Sequence, residues 1–407
     1  TVGNNFKEMM TLEQIETILE NYTLKGCYSL ENYNTKGVIT IEFNKMIFFQ
    51  VINSLRANLG EEIRFEVIGI VKYEFDTLSE HINLSNCIFR DKVIFYNCNF
   101  ELNVNFKNSE FIESVNFKNS KFKSKTRFHF SVFHKYCNFE NTTFVKLVDF
   151  YSCEFRDTQQ FHLTDFLDIT IFSKVIFYGQ VQFIYNKITE KTYISFENAI
   201  FKESFDISRA NFWGPMQVWG IETKVFPDFS WLYETDNIKK HNIKQSSVSL
   251  KCIRESYRRI KQEFRKDNNN IEALRFQEYE MMLYEKELKL QEKRKKEDVI
   301  VLFFNKCSNK FGTSWSRGLG FTLFVTLIFY LLFLLSIADN LSLSLNWIGI
   351  GNFLKYFLQF LNVAIWNYAP FGIEDYILGY IILFVGRIFI GYGYYQTIQA
   401  FRKYGKN

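Results

Sequence analysis

This chain of 407 residues contains little proline and little histidine, and its positive and negative charges are nearly balanced. It has three prolines, five histidines and a formal net charge of +5, from 49 basic and 44 acidic residues. The weak net charge argues against a nucleic-acid partner. Five histidines without a dense Cys/His cluster argue against a zinc enzyme. Seven cysteines, an odd number, exclude a small disulfide-stapled fold.

Catalytic motifs are also missing from the sequence. It contains no phosphate-binding glycine loop with a lysine, no His-Glu-x-x-His and no Gly-x-Ser-x-Gly. We therefore expect a protein that is not an enzyme and that needs no cofactor and no metal. Aromatic residues, in contrast, make up 19% of the chain and include 47 phenylalanines. Such a composition excludes a disordered chain.

Phenylalanine recurs at intervals of eleven residues from residue 84 onward, in two interleaved series. The first is Phe89, Phe100, Phe111, Phe122, Phe133, Phe144, Phe155, Phe166 and Phe177, and the second is Phe95, Phe106, Phe117, Phe128, Phe139, Phe150, Phe161, Phe172 and Phe183. Small residues, including Cys87, Cys98 and Cys153, lie two positions before the first series. The pattern slips by two residues within Ile184–Lys191 and then resumes.

The alternating steps of six and five residues exclude the two simplest explanations. A helix needs steps of three and four, and in one long strand a step of five turns the side chain to the other face. A solenoid with a corner in each repeat allows every phenylalanine to point inward and stack on the next coil. The small-x-Phe repeat over about residues 84–212 resembles the pentapeptide-repeat family in a Phe-rich variant. This resemblance implies a right-handed quadrilateral β-helix with about two 11-residue repeats per coil.

Two long apolar stretches predict membrane spans near the C-terminus. Leu319–Ala338 carries no charge, and Tyr376–Tyr395 carries only Arg387. Twenty helical residues reach about 30 Å, the thickness of a hydrocarbon core. The basic residues Lys306, Lys310, Arg317, Arg402, Lys403 and Lys406 flank the pair, whereas Asp339, Glu374 and Asp375 lie between the two stretches.

The positive-inside rule then places both termini and the β-helix in the cytoplasm, which requires an even number of crossings. The intervening apolar piece, Phe353–Trp366, is accordingly expected to enter the bilayer and return. The sequence thus predicts a multi-domain protein that combines the β-helix, a helical hairpin and a two-span α-helical membrane domain. The predicted parts are an N-terminal β-rich cap region (1–83), the β-helix (84–214), a cap and linker (215–246), the hairpin (247–298), an interfacial segment (299–318) and the membrane domain (319–407) with a re-entrant segment (353–372).

Three further segments carry a closer resemblance. Ser256–Lys261, Ala273–Met281 and Ser308–Trp315 are similar to segments of bacterial proteins that fuse pentapeptide repeats to a potassium-channel-like two-span unit. The resemblance implies an ion channel of the bacterial inner membrane and favours a homotetramer. Where that family has a Thr-x-Gly-x-Gly-type filter, this chain has Trp366–Gly372 without the two filter glycines.

Candidate pore residues follow from this arrangement. The constriction is expected at Asn367, Tyr368, Ala369, Pro370 and Gly372, together with Tyr380, Arg387 and Tyr394 of the inner span. Arg387 is expected to face water or a partner, because a charge in mid-membrane costs at least about 2.5–3.5 kcal/mol. Glycine recurs every seven residues along the second apolar stretch, at Gly379, Gly386 and Gly393. This spacing places the glycines on one helix face and predicts close contact with a neighbouring helix.

Two functions remain open from the sequence. The first is an oligomeric membrane pore whose β-helix senses a signal or assembles the complex, with a role as a membrane-disrupting effector in bacterial defence. The second is a membrane-anchored scaffold, without conduction, whose β-helix recruits a protein. The expected partners are the lipid bilayer, other copies of the chain, and a cytosolic protein or ligand on the β-helix, but no nucleic acid.

Overall fold

The structure is a computed structural model that describes residues 12–20, 28–30, 38–60, 63–212, 215–224, 245–290, 296–338, 346–365, 368–372 and 377–402. The chain divides into two compact units, Thr1–Glu263 and Phe264–Asn407. All strands of the described residues lie in the first unit and form the four faces of a solenoid, in which neighbouring strands are parallel apart from one antiparallel pair at the start. The first unit also contains helices α1 (Leu12–Glu20) and α2 (Phe48–Leu59).

Each face of the solenoid stacks one short strand per coil. The first face has Tyr28–Ser29, Val38–Glu42, Arg64–Ile68, Cys87–Phe89, Glu110–Phe111, Val132–Phe133, Glu154–Phe155, Ile176–Phe177, Ile200–Phe201 and Glu222–Thr223. The second has Val71–Glu74, Val93–Tyr96, Val115–Asn116 and Cys137–Asn138, and is continued by Gln159–His162, Val181–Ile184 and Phe205–Arg209. The third has Thr77–Leu78, Asn99–Phe100, Lys121–Phe122, Thr143–Phe144 and Asp165–Phe166. The fourth has Ile82–Asn83, Val104–Asn105, Thr126–Arg127, Val148–Asp149, Thr170–Ile171, Ile194–Ser195 and Met216–Gln217.

The register confirms a β-solenoid with two 11-residue repeats per coil. Val104 pairs with Ile82 on one side and with Thr126 on the other, a separation of 22 residues in each direction. About eight coils are stacked in this way. The ladder already includes Arg64–Ile68, so the solenoid begins before residue 84, the start predicted from the phenylalanine series.

The predicted slip of two residues is visible in the pairing. Thr170 pairs with Ile194, which is 24 residues later, whereas Ile194 pairs with Met216 at the usual 22. The insertion is therefore absorbed in one coil, and the inward register resumes after it. Because Met216–Gln217 and Glu222–Thr223 still belong to the ladders, part of the predicted cap at 215–246 is solenoid; residues 225–244 lie outside the described part of the chain.

Stacked phenylalanine rings fill the solenoid. Phe111 stacks on Phe89 and on Phe133 with ring centroids 4.9 Å apart in both pairs. Rings of the two series meet edge to face, as Phe106 and Phe111 do at 5.8 Å. These offset and T-shaped contacts are the arrangements that aromatic rings prefer. The two 11-residue series are therefore the core of the fold.

The small residues before each phenylalanine tie successive coils together. The Ser131 hydroxyl donates to the carbonyl oxygen of Phe106 at 2.6 Å and accepts from the Ser109 N–H at 3.2 Å. Cysteine fills the same position in other coils, and burial raises the pKa of the Cys87 thiol to about 12 and that of Cys98 to about 11. These thiols are packed in the core and remain protonated at neutral pH.

Helices cover both ends of the solenoid. At the N-terminal end the buried Arg56 of α2 donates to the carbonyl oxygens of Asn83, at 3.2 Å, and of Ser85. At the C-terminal end lies helix α3 (Gln245–Lys266), which extends beyond the unit boundary at residue 263. Its Arg259 donates to the Ala210 carbonyl oxygen at 2.7 Å. Such caps satisfy backbone groups that a terminal coil would otherwise expose.

The second unit is helical. It contains α4 (Asn270–Leu290), α5 (Lys296–Asn309), α6 (Trp315–Ser336), α7 (Trp347–Leu361), a short 3-10 turn (Pro370–Gly372) and α8 (Ile377–Phe401). The predicted interfacial segment 299–318 is two elements, because Ser314 caps α6 and places residues 315–318 in the first turn of the apolar helix. The first part of the predicted re-entrant segment 353–372 is the end of helix α7, which begins earlier, at Trp347.

Candidate pore segment between two apolar helices

Helices α6 and α8 are long and apolar enough to cross a membrane. The mean hydropathy of their most apolar windows is 2.4 and 1.7, and their lengths are 22 and 25 residues. The two helices pack side by side, with Tyr330 and Phe333 of α6 and Leu383 and Ile390 of α8 in one buried cluster. Length and composition alone therefore give two candidate spans, near the positions predicted from the sequence.

Glycines allow the two helices to approach closely. Gly379, Gly386 and Gly393 are all buried on one side of α8. A Cβ added to Gly386 would lie 3.0 Å from the Phe329 side chain, and one added to Gly393 would lie 2.4 Å from the Thr322 hydroxyl oxygen. Small residues at these positions let α6 and α8 make direct van der Waals contact.

Between α7 and α8, the described part of residues 362–372 (the connecting segment) lies against both apolar helices. The structure describes its residues 362–365 and 368–372. Tyr368 is 2% exposed and packs edge to face on Phe333 of α6 and Phe360 of α7, with centroids 5.3 and 5.7 Å apart. Its hydroxyl donates to the carbonyl oxygen of Tyr356 at 3.1 Å. The aromatic cluster thus holds the connecting segment in place.

Side chains of the two apolar helices bind backbone carbonyls of α7 and of the connecting segment. The Tyr330 hydroxyl donates to the Phe353 carbonyl oxygen at 3.0 Å, and the Tyr394 hydroxyl donates to that of Leu361 at 3.0 Å. The Arg387 guanidinium donates to the carbonyl oxygen of Ile365. Leu361 ends α7 and Ile365 lies beyond it, so Tyr394 and Arg387 satisfy carbonyl groups that lack intrahelical partners and would be costly in an apolar setting.

The candidate pore residues have different environments. Tyr368 is buried in the aromatic cluster, Pro370 is also buried, and Ala369 between them is exposed. Gly372 ends the 3-10 turn, and Asn367 lies outside the described residues. Tyr380 is 50% exposed, whereas Arg387 and Tyr394 are partly buried toward α7 and the connecting segment. The structure therefore brings Tyr368, Arg387 and Tyr394 together and leaves Tyr380 on the surface of the chain.

A polar network at the other end of α8 is not predicted from the sequence. Gln396 donates to the Asn305 side-chain oxygen at 3.1 Å, Tyr392 donates to the same oxygen at 3.0 Å, and Asn309 donates to Gln396. Asn305 and Asn309 are four residues apart on α5, as Tyr392 and Gln396 are on α8. Pairs of polar residues at this spacing, one pair in α5 and one in α8, are the sequence signal that could have identified the network.

The described part of the chain contains no cluster of side chains suited to bind a metal ion. No group of three or more His, Cys, Asp or Glu residues could hold a metal ion within the residues searched. Tyrosines, an arginine and amides furnish the polar side chains around the candidate segment. This arrangement positions backbone carbonyls of α7 and of the connecting segment.

Comparison with known proteins identifies the repeats. A family model described as pentapeptide repeats (9 copies) matches residues 84–132 and 95–143. The chain contains pentapeptide repeats. The matched residues lie within the coils of stacked phenylalanines, so the repeats and the β-solenoid are the same part of the molecule. No curated protein and no solved structure matches the chain.

Proposed function

We propose that several copies of the chain, four in the favoured arrangement, form an ion-conducting pore in the bacterial inner membrane. The connecting segment lies at the narrowest part, and the pentapeptide-repeat solenoid is the cytoplasmic domain that senses a signal or assembles the complex. Both termini are cytoplasmic in this proposal. Opening such a pore would dissipate the membrane potential, which is the basis for proposing a membrane-disrupting effector in bacterial defence.

One observation carries the proposal. In the described residues between the two candidate spans, the chain forms helix α7 and then a segment that is irregular apart from a 3-10 turn, and Arg387 and Tyr394 of α8 bind backbone carbonyls of both. Non-helical backbone at membrane depth is tolerated only inside protein or along water. A segment of this kind between two spans is the plan of a pore loop, and in a symmetric oligomer it would surround the axis.

Ion flux through reconstituted protein tests the proposal. We expect potential-driven flux from liposomes that contain the full chain, and we expect Arg387→Glu to abolish the flux or to reverse its preference between anions and cations. This substitution replaces the donor to Ile365 with a carboxylate. Arg402→Glu is the matched control, since Arg402 is exposed just after the end of α8. Wild-type flux that Arg387→Glu leaves unchanged would contradict the proposed position of the pore.

A membrane-anchored scaffold is the second candidate. The observation that favours it is the tight packing of the connecting segment in a single chain, where Tyr368 is 2% exposed. The two glycines of a potassium filter are also missing from Trp366–Gly372. The scaffold predicts liposomes that stay impermeable with the wild-type chain and with both arginine variants, whereas the solenoid still retains its protein partner.

A further inference from the structure

A groove on the outside of the solenoid has an unusual charge pattern. It encloses about 300 Å³ on the fourth face, near the N-terminal end, and its polar lining consists of His81, Asn83, Asn103, Asn105, Lys125 and Arg127. A cavity of this volume is at the lower limit of small-molecule sites, which measure roughly 300–1,000 Å³. The groove lies entirely within the first unit, so binding of a ligand there would not depend on the proposed pore.

The 22-residue register arranges the polar side chains in two rows. Because Val104 pairs with Ile82 and Thr126, and Asn105 pairs with Asn83 and Arg127, one row is Asn83, Asn105 and Arg127. The second row has the same spacing, two residues earlier in each coil (His81, Asn103 and Lys125). Neighbouring strands are about 4.8 Å apart, so three coils place these groups within reach of one small molecule.

The two cations at one end of the groove make no ion pair with any residue that the structure describes. Lys125 and Arg127 are both exposed and project from the same coil. Some other cations of the solenoid pair with carboxylates of neighbouring coils, as Lys118 does with Glu140 at 2.8 Å and Lys123 does with Glu101 at 2.8 Å, whereas Lys121, like Lys125 and Arg127, makes no ion pair with a described residue. At Lys125 and Arg127 two positive charges instead lie side by side, an arrangement that a bound anion would stabilise.

The carboxylate that continues the row of Arg127 is in contact with another group. Asp149 follows Arg127 in the register, and its side chain lies 3.3 Å from the His129 ring nitrogen. Burial lowers the pKa of His129 and Asp149 opposes this shift, whereas Lys107 and Arg127 lower the pKa further. Lys107 and Arg127 thus both place positive charge beside this part of the face, and Asp149 is in contact with His129.

The asparagines give the other end of the groove a different chemistry. The Asn105 amide donates to the Asn83 side-chain oxygen at 3.2 Å, and that oxygen also accepts from the Ser85 hydroxyl at 2.8 Å. These bonds fix the amide row, while Asn103 is exposed beside it. Fixed amides can donate to and accept from hydroxyl groups or the edge of a base.

We propose that this groove binds a small organic phosphate, of the size of a mononucleotide or a sugar phosphate. Lys125 and Arg127 bind the phosphate oxygens, and the rows that contain Asn83, Asn103 and Asn105 contact the sugar or base. Arginine binds phosphate through two parallel hydrogen bonds and lysine binds it as a point charge, so the two side chains complement each other.

Isothermal titration of the full chain in detergent tests the site. The probes are adenosine 5′-monophosphate and ribose 5-phosphate. Inorganic phosphate and adenosine, the two parts of the nucleotide, are titrated separately. We expect at least one organic phosphate to bind more tightly than inorganic phosphate or adenosine, with an affinity that falls as salt is added. Failure of both organic phosphates to bind, or equal binding of inorganic phosphate, would overturn the proposal.

Variants separate this site from general attraction to a basic surface. Arg127→Gln and Lys125→Gln should each weaken binding about 10-fold, the typical effect of losing one charge-assisted hydrogen bond. Lys121→Gln is the matched control, because Lys121 is an exposed lysine of the same coil on the third face. Equal weakening by the control would overturn the assignment.

Two further measurements complete the test: the stability and binding of the variants, and the binding of a lipid phosphate. Since Lys125 and Arg127 are exposed, their glutamine variants should keep the melting temperature of the wild type. Arg127→Lys keeps the charge but loses the paired hydrogen bonds, so it should weaken binding less than Arg127→Gln does. A short-chain phosphatidylglycerol presents the same phosphate chemistry on a lipid. Preferential binding of that lipid over the soluble phosphates would show a lipid headgroup as the ligand and would contradict the proposed small-molecule source.

Discussion

At the residue scale, the corners of the solenoid depend on a backbone conformation that most side chains avoid. A residue with φ between +51° and +62° recurs every eleven positions, and in the first eight repeats it lies immediately before the small residue (Asn86, Asn97, Asn108, Asn119, Phe130, Asn141, Ser152, Leu163, Lys174 and Tyr185). Asparagine tolerates this left-handed region better than other non-glycine residues. The recurring asparagines are therefore a sequence signal for the corner, which the phenylalanine series alone does not show.

Leucine at position 163 should be a weak point in this pattern. Leu163 has φ +51° and is 41% exposed, and it follows Asn119 and Asn141 at the 22-residue spacing. The Asn141 amide donates to the Asn119 side-chain oxygen at 3.0 Å. Leu163→Asn should relieve the strain and extend this asparagine ladder, and we expect a gain of about 1 kcal/mol in the free energy of unfolding.

Urea unfolding of the full chain, followed by circular dichroism, measures the change. Leu102→Asn is the control, because Leu102 is a leucine of similar exposure, 37%, without a positive φ. Stabilisation by Leu163→Asn but not by Leu102→Asn is the expected result. Equal effects of the two substitutions would show that the corner conformation does not limit stability.

At the element scale, the contact between α6 and α8 rests on particular glycines. Gly393 faces Thr322, whose hydroxyl already donates to the Gly318 carbonyl oxygen at 2.8 Å, so this side chain has little freedom to move away. Gly391, two residues earlier on the same helix, has nothing within 4 Å of an added Cβ. The two glycines therefore differ in surroundings while sharing a helix.

Alanine substitutions at these two positions should have opposite effects. Gly393→Ala forces the helices apart and should destabilise the chain by about 1–3 kcal/mol, the usual cost of overpacking. Gly391→Ala should be neutral or slightly stabilising, since alanine favours the helix. Thermal unfolding in detergent, followed by tryptophan fluorescence, checks both variants. A lower melting temperature for Gly391→Ala than for Gly393→Ala would contradict the packing described here.

The elements also show what the sequence could and could not predict. The 11-residue period predicted the solenoid, its two repeats per coil and the slip near Ile184, because each inward phenylalanine repeats in space as it does along the chain. The start of the solenoid was placed too late, since Arg64–Ile68 carries no phenylalanine series of its own. The hydrogen bonds of Arg387 and Tyr394 to backbone carbonyls join residues 22 and 33 positions apart, and no local pattern records such contacts.

At the scale of the whole molecule, the chain combines a polar-surfaced solenoid with a helical unit that exposes much apolar surface. Phe324, Leu335, Ile381 and Phe384 are 56–71% exposed in the single chain. Apolar surface of this extent marks contact with lipid or with another protein. The membrane pore formed by several copies remains our proposal for how this surface is covered.

A cryo-electron microscopy reconstruction of the full chain in lipid nanodiscs tests that central claim most directly. The pore proposal predicts several copies around one axis, with α6 and α8 across the bilayer and the connecting segment, residues 362–372, around a water-filled path. A monomer whose connecting segment is sealed by its own aromatic cluster, or a helix α7 that runs fully across the bilayer, would contradict it.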